Sequence, residues 1–320
     1  MTKMRALRLG GRGLRNYLRN RPFSVSFELT YACNARCRHC HLGGPVEEER
    51  ATPEKLGELY GEIQSVVTIL SGGEPLLRND LEDIVRAIHR KNRPPYIVIT
   101  TNASLLKPER FRRLCEAGAD QFSISLDYPD ERHDEFRGIP GLFGKIREFI
   151  GGLGSGAGRA VTLSCVVQRD NFRELLKIAR LAAAWKVRVN FTTYTWLRTQ
   201  NKGMLLTQED LPEFREIVNQ LLGLRKQNKN FYPSPYVFQR MMQYFENGFI
   251  PGCRAGQRFF VVNPNGAISP CGLIMKYYKD VAQMRAEFVP ANTCGDCNTS
   301  IRAECEKPAR LMIRDNLGIA

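Results

Sequence analysis

The sequence predicts an α/β protein: a parallel sheet curled into a partial (β/α)6 barrel, followed by a small cysteine-rich domain. Between residues 23 and 205, six short apolar segments typical of strands alternate with segments typical of helices. Strands that are separated by helices pair in parallel, and six such units are enough for an open barrel. Five of the ten cysteines lie beyond residue 250, outside this repeat. We therefore divide the chain into a basic segment (1–22), a barrel (23–205), a helical linker (206–252) and a cysteine-rich domain (253–320).

The composition is that of an ordinary globular protein, with 43% hydrophobic and 25% charged residues in a chain of 320. The first residues contain no apolar signal-peptide core, and no apolar run reaches membrane-spanning length. We expect a cytoplasmic protein that uses its cysteines as metal ligands rather than in disulfides. Peripheral attachment to a membrane is compatible with both observations.

The net charge of +14 is unevenly distributed, and the N-terminus is strongly basic. Residues 1–22 hold seven basic residues and no acidic one. Leucines and a tyrosine could form a narrow apolar stripe there, although three glycines weaken a helix. Such a segment could bind an anionic membrane surface, a nucleic acid or an acidic peptide, or it could be a solvated tail or a helix packed on the barrel. The stripe residues are Leu7, Leu14, Tyr17 and Leu18, and the glycines are Gly10, Gly11 and Gly13.

Three cysteines lie within eight residues just after the first predicted strand (23–29). The thiolates of Cys33, Cys37 and Cys40 must converge, which suits a soft metal centre. Three ligands are one short of the four that a structural zinc or a fully ligated iron–sulfur cluster needs. The sequence leaves two alternatives: a zinc ion with His39 or His41 as fourth ligand, or a [4Fe–4S] cluster with one iron open to another molecule.

The second strand (65–70) ends in a second motif, Gly72-Gly73-Glu74-Pro75. The paired glycines allow the backbone to approach a ligand closely, and Glu74 adds a carboxylate at the same place. Further βα units place Asn102 after the third strand, Ser125 at the end of the fourth and Arg137 in the next loop. Because active sites of barrels lie at the carboxyl ends of the strands, we expect these residues to share one edge. The later strands are predicted over 96–100, 120–126, 161–167 and 187–194.

The cysteine loop after the first strand, combined with Gly-Gly-Glu-Pro after the second, resembles the radical S-adenosylmethionine (SAM) superfamily. This resemblance implies a [4Fe–4S] cluster on the three cysteines, with the open iron chelating the amino and carboxylate groups of SAM. It further implies that the glycine motif contacts the SAM amino group and that Ser125 and Arg137 contact SAM. The predicted cofactor-binding residues are Gly72, Gly73, Glu74, Asn102, Ser125 and Arg137.

The last part of the chain resembles the SPASM and twitch domains of the same superfamily, which carry auxiliary [4Fe–4S] clusters. A hairpin would return Cys271 towards Cys253, and Cys294 and Cys297 form a compact two-thiol turn. These four are the predicted ligands of a second cluster, with Cys305 as the spare thiol. Zinc at this second site is the alternative.

The implied activity is reductive cleavage of SAM to a 5′-deoxyadenosyl radical, which abstracts hydrogen from a substrate. The substrate could be a peptide, a small alcohol or sugar, or a lipid or isoprenoid. A flavodoxin or ferredoxin would supply the electron. The competing hypothesis is a non-catalytic zinc- or RNA-binding protein, and iron and sulfide analysis would separate the two.

Overall fold

The computed structural model describes residues 3–91, 93–154, 156–227, 231 and 233–312. Within them, helices and strands alternate as the sequence predicts, which confirms the α/β fold. The strands are β1 (Ser24–Glu28), β2 (Val67–Ser71), β3 (Tyr96–Thr101), β4 (Gln121–Ser125), β5 (Val161–Val167), β6 (Arg188–Thr193), β7 (Phe259–Val262) and β8 (Ile268–Ser269). The helices are α1 (Lys3–Leu18), α2 (Pro53–Ile63), α3 (Leu81–His89), α4 (Pro108–Ala117), α5 (Arg132–Arg137), α6 (Leu142–Gly151), α7 (Leu175–Ala184), α8 (Leu211–Gln227), α9 (Pro235–Asn247), α10 (Val281–Glu287) and α11 (Ser300–Cys305).

The strands form one sheet in the order β6-β5-β4-β3-β2-β1-β7-β8. All neighbours from β6 to β7 are parallel, and β8 is antiparallel to β7. The hairpin strands, which the sequence placed in the cysteine-rich domain, thus extend the barrel sheet, since Ser24 pairs with Phe259 and Phe27 with Val262. A bare edge of β1 would leave backbone N–H and C=O groups without partners, and β7 supplies them.

The two faces of the sheet differ in polarity. One face packs its aliphatic side chains against the helices, with Leu70, Ile99, Ile124 and Leu163 completely buried. The opposite face of β3 to β6 is only partly buried, and beside Val98 and Val166 it carries a set of hydroxyl and amide side chains. These polar residues are Thr100, Ser123, Ser125, Ser164, Asn190 and Thr192.

The C-terminal segment closes the open side of this curved sheet. Helix α11 contacts both β6 and β7, although five strands separate them within the sheet. The Asn298 Nδ2 donates to Thr193 Oγ1 at 3.1 Å, and the Ser300 N–H donates to Thr192 Oγ1 at 3.0 Å. Arg198, after β6, donates to the Gly272 carbonyl at 2.7 Å and thereby reaches the turn after β8. The cysteine-rich segment is therefore packed into the gap of the barrel.

Helix α1 covers the opposite end of the barrel, where the strands begin. Arg12 is buried and donates to the Tyr60 hydroxyl at 3.2 Å and to the Pro94 carbonyl, just before β3, at 3.0 Å. Arg5 donates to Asp120, immediately before β4, at 2.7 Å. These tertiary contacts offset the low helix propensity of the three glycines. Among the described residues, no helix combines the length and the apolar character needed to cross a membrane.

Candidate active site

The cysteine loop leaves the carboxyl end of β1 and is closed by its own backbone. The Cys33 N–H donates to the Gly44 carbonyl at 3.0 Å, and the Gly44 N–H donates back to Cys33 at 2.7 Å. Between these two residues, the thiols of Cys33, Cys37 and Cys40 are all partly buried. Burial raises the pKa of Cys33 to about 11, so ionisation of this thiol requires a cation or metal nearby.

Helix α5 supports the middle of the loop. The Arg36 N–H donates to the Arg137 carbonyl at 2.9 Å, and the Arg38 N–H donates to the Phe136 carbonyl at 3.2 Å. His39 stacks on Phe136 with ring centroids 5.1 Å apart, and burial lowers its pKa to about 4. His39, one of the two histidines considered as the fourth zinc ligand, is thus neutral and packed against an aromatic side chain. His41, the other zinc candidate, is exposed.

Gly72 and Gly73 bring the end of β2 directly against the start of the cysteine loop. A Cβ on Gly72 would lie 2.2 Å from the Thr30 carbonyl oxygen, and one on Gly73 would lie 2.1 Å from that of Ala32. The Gly73 N–H donates to Thr30 at 2.6 Å. The close approach that requires these glycines is therefore to the protein's own loop. Their contact with SAM stays a prediction.

Glu74 is buried and ties β2 to β3. One carboxylate oxygen accepts from the Thr101 hydroxyl at 2.7 Å and from the Leu76 N–H at 3.0 Å, and the other accepts from the Asn102 N–H at 2.8 Å. Burial raises the pKa of Glu74, and these hydrogen bonds oppose the rise. Because a carboxylate offers about four acceptor positions, about one is left for an ammonium group. Its contact with SAM is likewise a prediction.

Asn102 joins the end of β3 to the cysteine loop. Its Nδ2 donates to Asn34 Oδ1 at 2.9 Å, and its Oδ1 accepts from the Ser104 N–H at 2.9 Å. Asn34, between the first two cysteines, was missed by the sequence argument because its partner is 68 residues away. Ser125 lies at the carboxyl end of β4 on the polar face and is partly buried.

Arg137 connects the loop to a buried acid that the sequence argument also missed, Asp127. Its Nε donates to Asp127 Oδ2 at 2.8 Å, and its Nη1 lies 3.5 Å from Cys37 Sγ. Burial alone would raise the pKa of Asp127, but the Arg137 guanidinium holds it below its usual range. Burial likewise raises the pKa of Cys37, and Arg137 opposes this. A fixed cation therefore stands beside one of the three thiols and stabilises its thiolate.

The loop fits a [4Fe–4S] cluster better than a single ion. Among the described residues, no three His, Cys, Asp or Glu side chains converge on one metal-ion position. A zinc ion requires such convergence, whereas a cube-shaped cluster binds each thiolate through a different iron. Three thiols on one loop, with a guanidinium close by, match the donor set and the charge of such a cluster.

The C-terminal cysteines form a second group. A hydrogen bond between the Cys253 and Cys294 thiols raises the pKa of Cys253 and lowers that of Cys294. Burial raises the pKa of Cys271 to about 12, and the charges of Cys297 and Cys294 act on this thiol. The electrostatic neighbours of Cys305 are instead Glu304, Glu306 and Arg258, and its side chain packs in the main core.

Arg302 is a fully buried cation beside this second group. It donates to the Cys297 carbonyl at 2.6 Å and to Glu306 at 3.1 Å. Its charge opposes the rise in the pKa of Cys253, which the hydrogen bond with Cys294 and burial cause, and the rise in the pKa of Cys297, which burial causes. A buried guanidinium is costly unless anions surround it, and the thiolates of a metal centre would be such anions.

A parallel partial barrel with a three-cysteine loop at the carboxyl end of β1 and a glycine-rich turn after β2 defines a class of iron–sulfur enzymes that use SAM. The chain belongs to the Radical SAM superfamily, whose family model matches residues 27–204. A [4Fe–4S] cluster and SAM are the cofactors of this superfamily, and the relatives compared are enzymes.

Two curated relatives and one solved structure illustrate the similarity. The AdoMet-dependent heme synthase of Oleidesulfovibrio alaskensis is 28% identical over 277 residues, which cover 78% of this chain and 69% of that protein. The PqqA peptide cyclase of Granulibacter bethesdensis is 28% identical over 265 residues, covering 78% and 67%. The crystal structure of Streptococcus suis SuiB bound to its precursor peptide SuiA matches with a TM-score of 0.64 at 16% identity, covering 88% and 68%. At that identity, the likeness to SuiB concerns the fold.

Proposed function

We propose that this enzyme reductively cleaves SAM at a cluster held by Cys33, Cys37 and Cys40 and uses the 5′-deoxyadenosyl radical to abstract hydrogen from a substrate. When bound, the cluster supplies the electron that breaks a carbon–sulfur bond of SAM. The observation that carries this proposal is the Cys37–Arg137–Asp127 contact, which fixes one cation beside the thiol loop at the carboxyl edge of the sheet. The residues proposed around SAM are Gly72, Gly73, Glu74, Asn102, Ser125 and Arg137.

We further propose an auxiliary [4Fe–4S] cluster of the SPASM or twitch type on Cys253, Cys271, Cys294 and Cys297. Their mutual electrostatic contacts and the buried charge of Arg302 support four thiolates around one centre. Cys305 is buried, and the charged groups that act on it are Glu304, Glu306 and Arg258 rather than another cysteine, which supports its role as the spare thiol. A flavodoxin or ferredoxin is the proposed electron donor.

The polar face of the barrel favours a polar substrate. Side chains of β3 to β6 present hydroxyl and amide groups there, and these are only partly buried. Such a surface hydrogen-bonds a peptide or a hydroxylated small molecule, whereas a lipid chain would leave those groups without partners. A peptide is the first candidate, since one curated relative is named a peptide cyclase.

SAM cleavage tests the first site. Anaerobically reconstituted protein that is given dithionite and SAM should release 5′-deoxyadenosine slowly, even without substrate. Cys37→Ala should abolish the release, because two thiolates do not retain the cluster. Cys305→Ala is the matched control and should release 5′-deoxyadenosine at the parent rate. Undiminished release from Cys37→Ala would reject the assignment of the loop.

Iron analysis tests the second site separately. The reconstituted chain should hold about eight irons, four at each site. Cys294→Ala should lower the iron content by up to half and leave the SAM-binding cluster in place, whereas Cys305→Ala should keep all of it. Loss of iron in Cys305→Ala, with full retention in Cys294→Ala, would show that a different set of four binds the cluster.

A further inference from the structure

The outer face of α1 has no covering element in the described part of the chain, although it is strongly apolar. Met4, Leu7, Leu14 and Leu18 are 62%, 77%, 49% and 72% exposed. These positions recur at helical spacing and so share one face. Aliphatic side chains scattered singly over a surface need no explanation, but four on one face of one helix indicate a partner.

A row of arginines borders this apolar face. Arg8, Arg15 and Arg19 are spaced seven and four residues apart along the helix. At this spacing they form a row next to the exposed leucines. Arg8 and Arg19 are exposed, and Arg15 is half-buried. No acidic residue occurs among the first 22 residues to neutralise them. An exposed leucine face with a flanking arginine row is typical of helices that lie in the interface of an anionic membrane.

The inner face of α1 is already occupied, which leaves the outer face for a partner. Arg5 and Arg12 point inward to Asp120 and to the carbonyl groups before β3. The Asn16 Nδ2 donates to the Pro22 carbonyl at 2.7 Å, and Arg258 covers the ring of Tyr17 at 4.0 Å. The helix is therefore fixed in its orientation, with leucines outward, before any partner binds.

We infer that α1 is a membrane-docking helix, which lays its leucine face into an anionic lipid surface while Arg8, Arg15 and Arg19 contact the lipid phosphates. A nucleic acid would use the arginines but not the leucines, and the aromatic ring of this segment, Tyr17, is covered by Arg258 and not free to stack on bases. A second copy of the chain would bring the same positive charge and is disfavoured by repulsion.

This docking has a consequence for the active site. Arg12 and Arg5 bind the segments that precede β3 and β4, so α1 lies at the edge where the parallel strands begin. The cysteine loop lies at the other edge, after β1. A membrane bound by α1 therefore faces away from the cysteine loop, and the edge of the sheet that carries this loop stays in the aqueous phase. This agrees with the polar face of the barrel.

The experiment is co-sedimentation of the full-length reconstituted enzyme with vesicles. We expect binding to vesicles of phosphatidylcholine with phosphatidylglycerol, weak binding to pure phosphatidylcholine, and a loss of binding as the salt concentration rises. The double variant Leu7→Gln/Leu18→Gln should lower vesicle partitioning about tenfold or more, because two exposed leucines lose their burial in lipid. Arg8→Gln/Arg19→Gln should lower binding to anionic vesicles and reduce its salt dependence.

A control variant of the same enzyme tests whether the effect is specific to α1. Leu105→Gln/Arg112→Gln removes a leucine and an arginine from a different surface and should leave partitioning unchanged. The two α1 double variants should keep their 5′-deoxyadenosine release, because α1 lies at the far end of the barrel. Equal partitioning of the parent and of Leu7→Gln/Leu18→Gln would overturn the inference. So would tight, salt-sensitive binding of single-stranded RNA that Arg8→Gln/Arg19→Gln loses and Leu7→Gln/Leu18→Gln retains, or a dimer that dissociates in Leu7→Gln/Leu18→Gln, in either case without vesicle binding by the parent.

Discussion

The carboxylate of Glu74 accepts three hydrogen bonds from the ends of two strands before any ligand is bound. At the scale of single residues, Glu74 therefore holds the turn after β2 to the end of β3, and its proposed contact with SAM would depend on this arrangement. The same holds for Arg137, which reaches a buried acid and a cysteine at once. Side chains at this edge therefore position the loops, in addition to the SAM contacts that we propose for them.

Glu74→Gln should therefore lower both the stability of the protein and its affinity for SAM. The amide keeps one acceptor but presents an NH2 group to a backbone N–H, so we expect a loss of stability of about 1–3 kcal/mol. SAM affinity should fall as well, because the charge opposite its ammonium group is removed. Urea unfolding and SAM titration of the reconstituted protein measure the two effects. Unchanged affinity alongside an intact cluster spectrum would count against a contact between Glu74 and SAM.

We expect the free energy of unfolding to depend on pH because His133 is buried. Its ring is fully buried, its Nδ1 accepts from the Asp127 N–H at 3.2 Å, and burial lowers its pKa to about 4. The unfolded chain, with a histidine pKa of about 6.5, binds more protons between these two values. The free energy of unfolding should then fall by up to about 3 kcal/mol as the pH drops from about 6.5 to 4.

The variant His133→Asn keeps an acceptor for the Asp127 N–H and removes the titration. Its free energy of unfolding should depend less steeply on pH over this interval, as measured by urea unfolding at several pH values. Part of the pH dependence should remain in the variant, because the pKa of His39 is also lowered to about 4. An identical slope in the variant and the parent would show that His133 is not the titrating group.

At the scale of secondary-structure elements, the site depends on how closely the turn after β2 approaches the loop after β1. Gly73→Ala would place a Cβ 2.1 Å from the Ala32 carbonyl oxygen, and neither backbone segment has room to move away. We expect a loss of about 1–3 kcal/mol of stability and a lower iron content, because the cysteine loop is displaced. Gly144→Ala, in the first turn of α6 with no atom within 4 Å of its added Cβ, should instead be neutral or stabilising by up to about 1 kcal/mol. Equal iron contents in the two variants would contradict this role of Gly73.

Elements that depend on local signals are well predicted by the sequence. Thr52 accepts from the Lys55 N–H at 3.3 Å and Pro53 begins α2, as the cap pattern indicates. The sequence of residues 171–185 is typical of a helix, and in the structure a 3-10 turn at Phe172–Glu174 precedes α7, which begins at Leu175. Pairing of β7 with β1 was not predicted, because it joins segments more than 230 residues apart and no local pattern encodes it.

In the candidate site too, the features with a local sequence signal are predicted and those that depend on long-range contacts are not. Motif spacing in the sequence indicates the three-cysteine loop and the glycine turn, whereas the partners that hold them do not belong to a motif. Asp127 and Asn34 act through contacts that exist only once the sheet has formed. Arg302 is likewise recognisable as a buried cation only from its place between Cys297 and Glu306.

At the scale of the whole molecule, the cysteine-rich segment and the barrel share one sheet and one core. β7 extends the sheet next to β1, and α11 contacts both β6 and β7. Metal binding to four cysteines drawn from two parts of this segment would fix the closure of the barrel. The free energy of cluster binding should then contribute to the stability of the whole fold.

Thermal unfolding of the anaerobic holoenzyme tests this coupling. Parent protein and Cys294→Ala should each unfold in one transition, with a lower Tm in the variant, because losing the second cluster loosens the segment that joins β6 to β7. Cys305→Ala, which leaves the four proposed ligands in place, is the control for removing a thiol, and its small cavity in the core should cost no iron. A detached domain would behave differently: Cys294→Ala would then melt in two steps, with the barrel transition at the temperature of the parent.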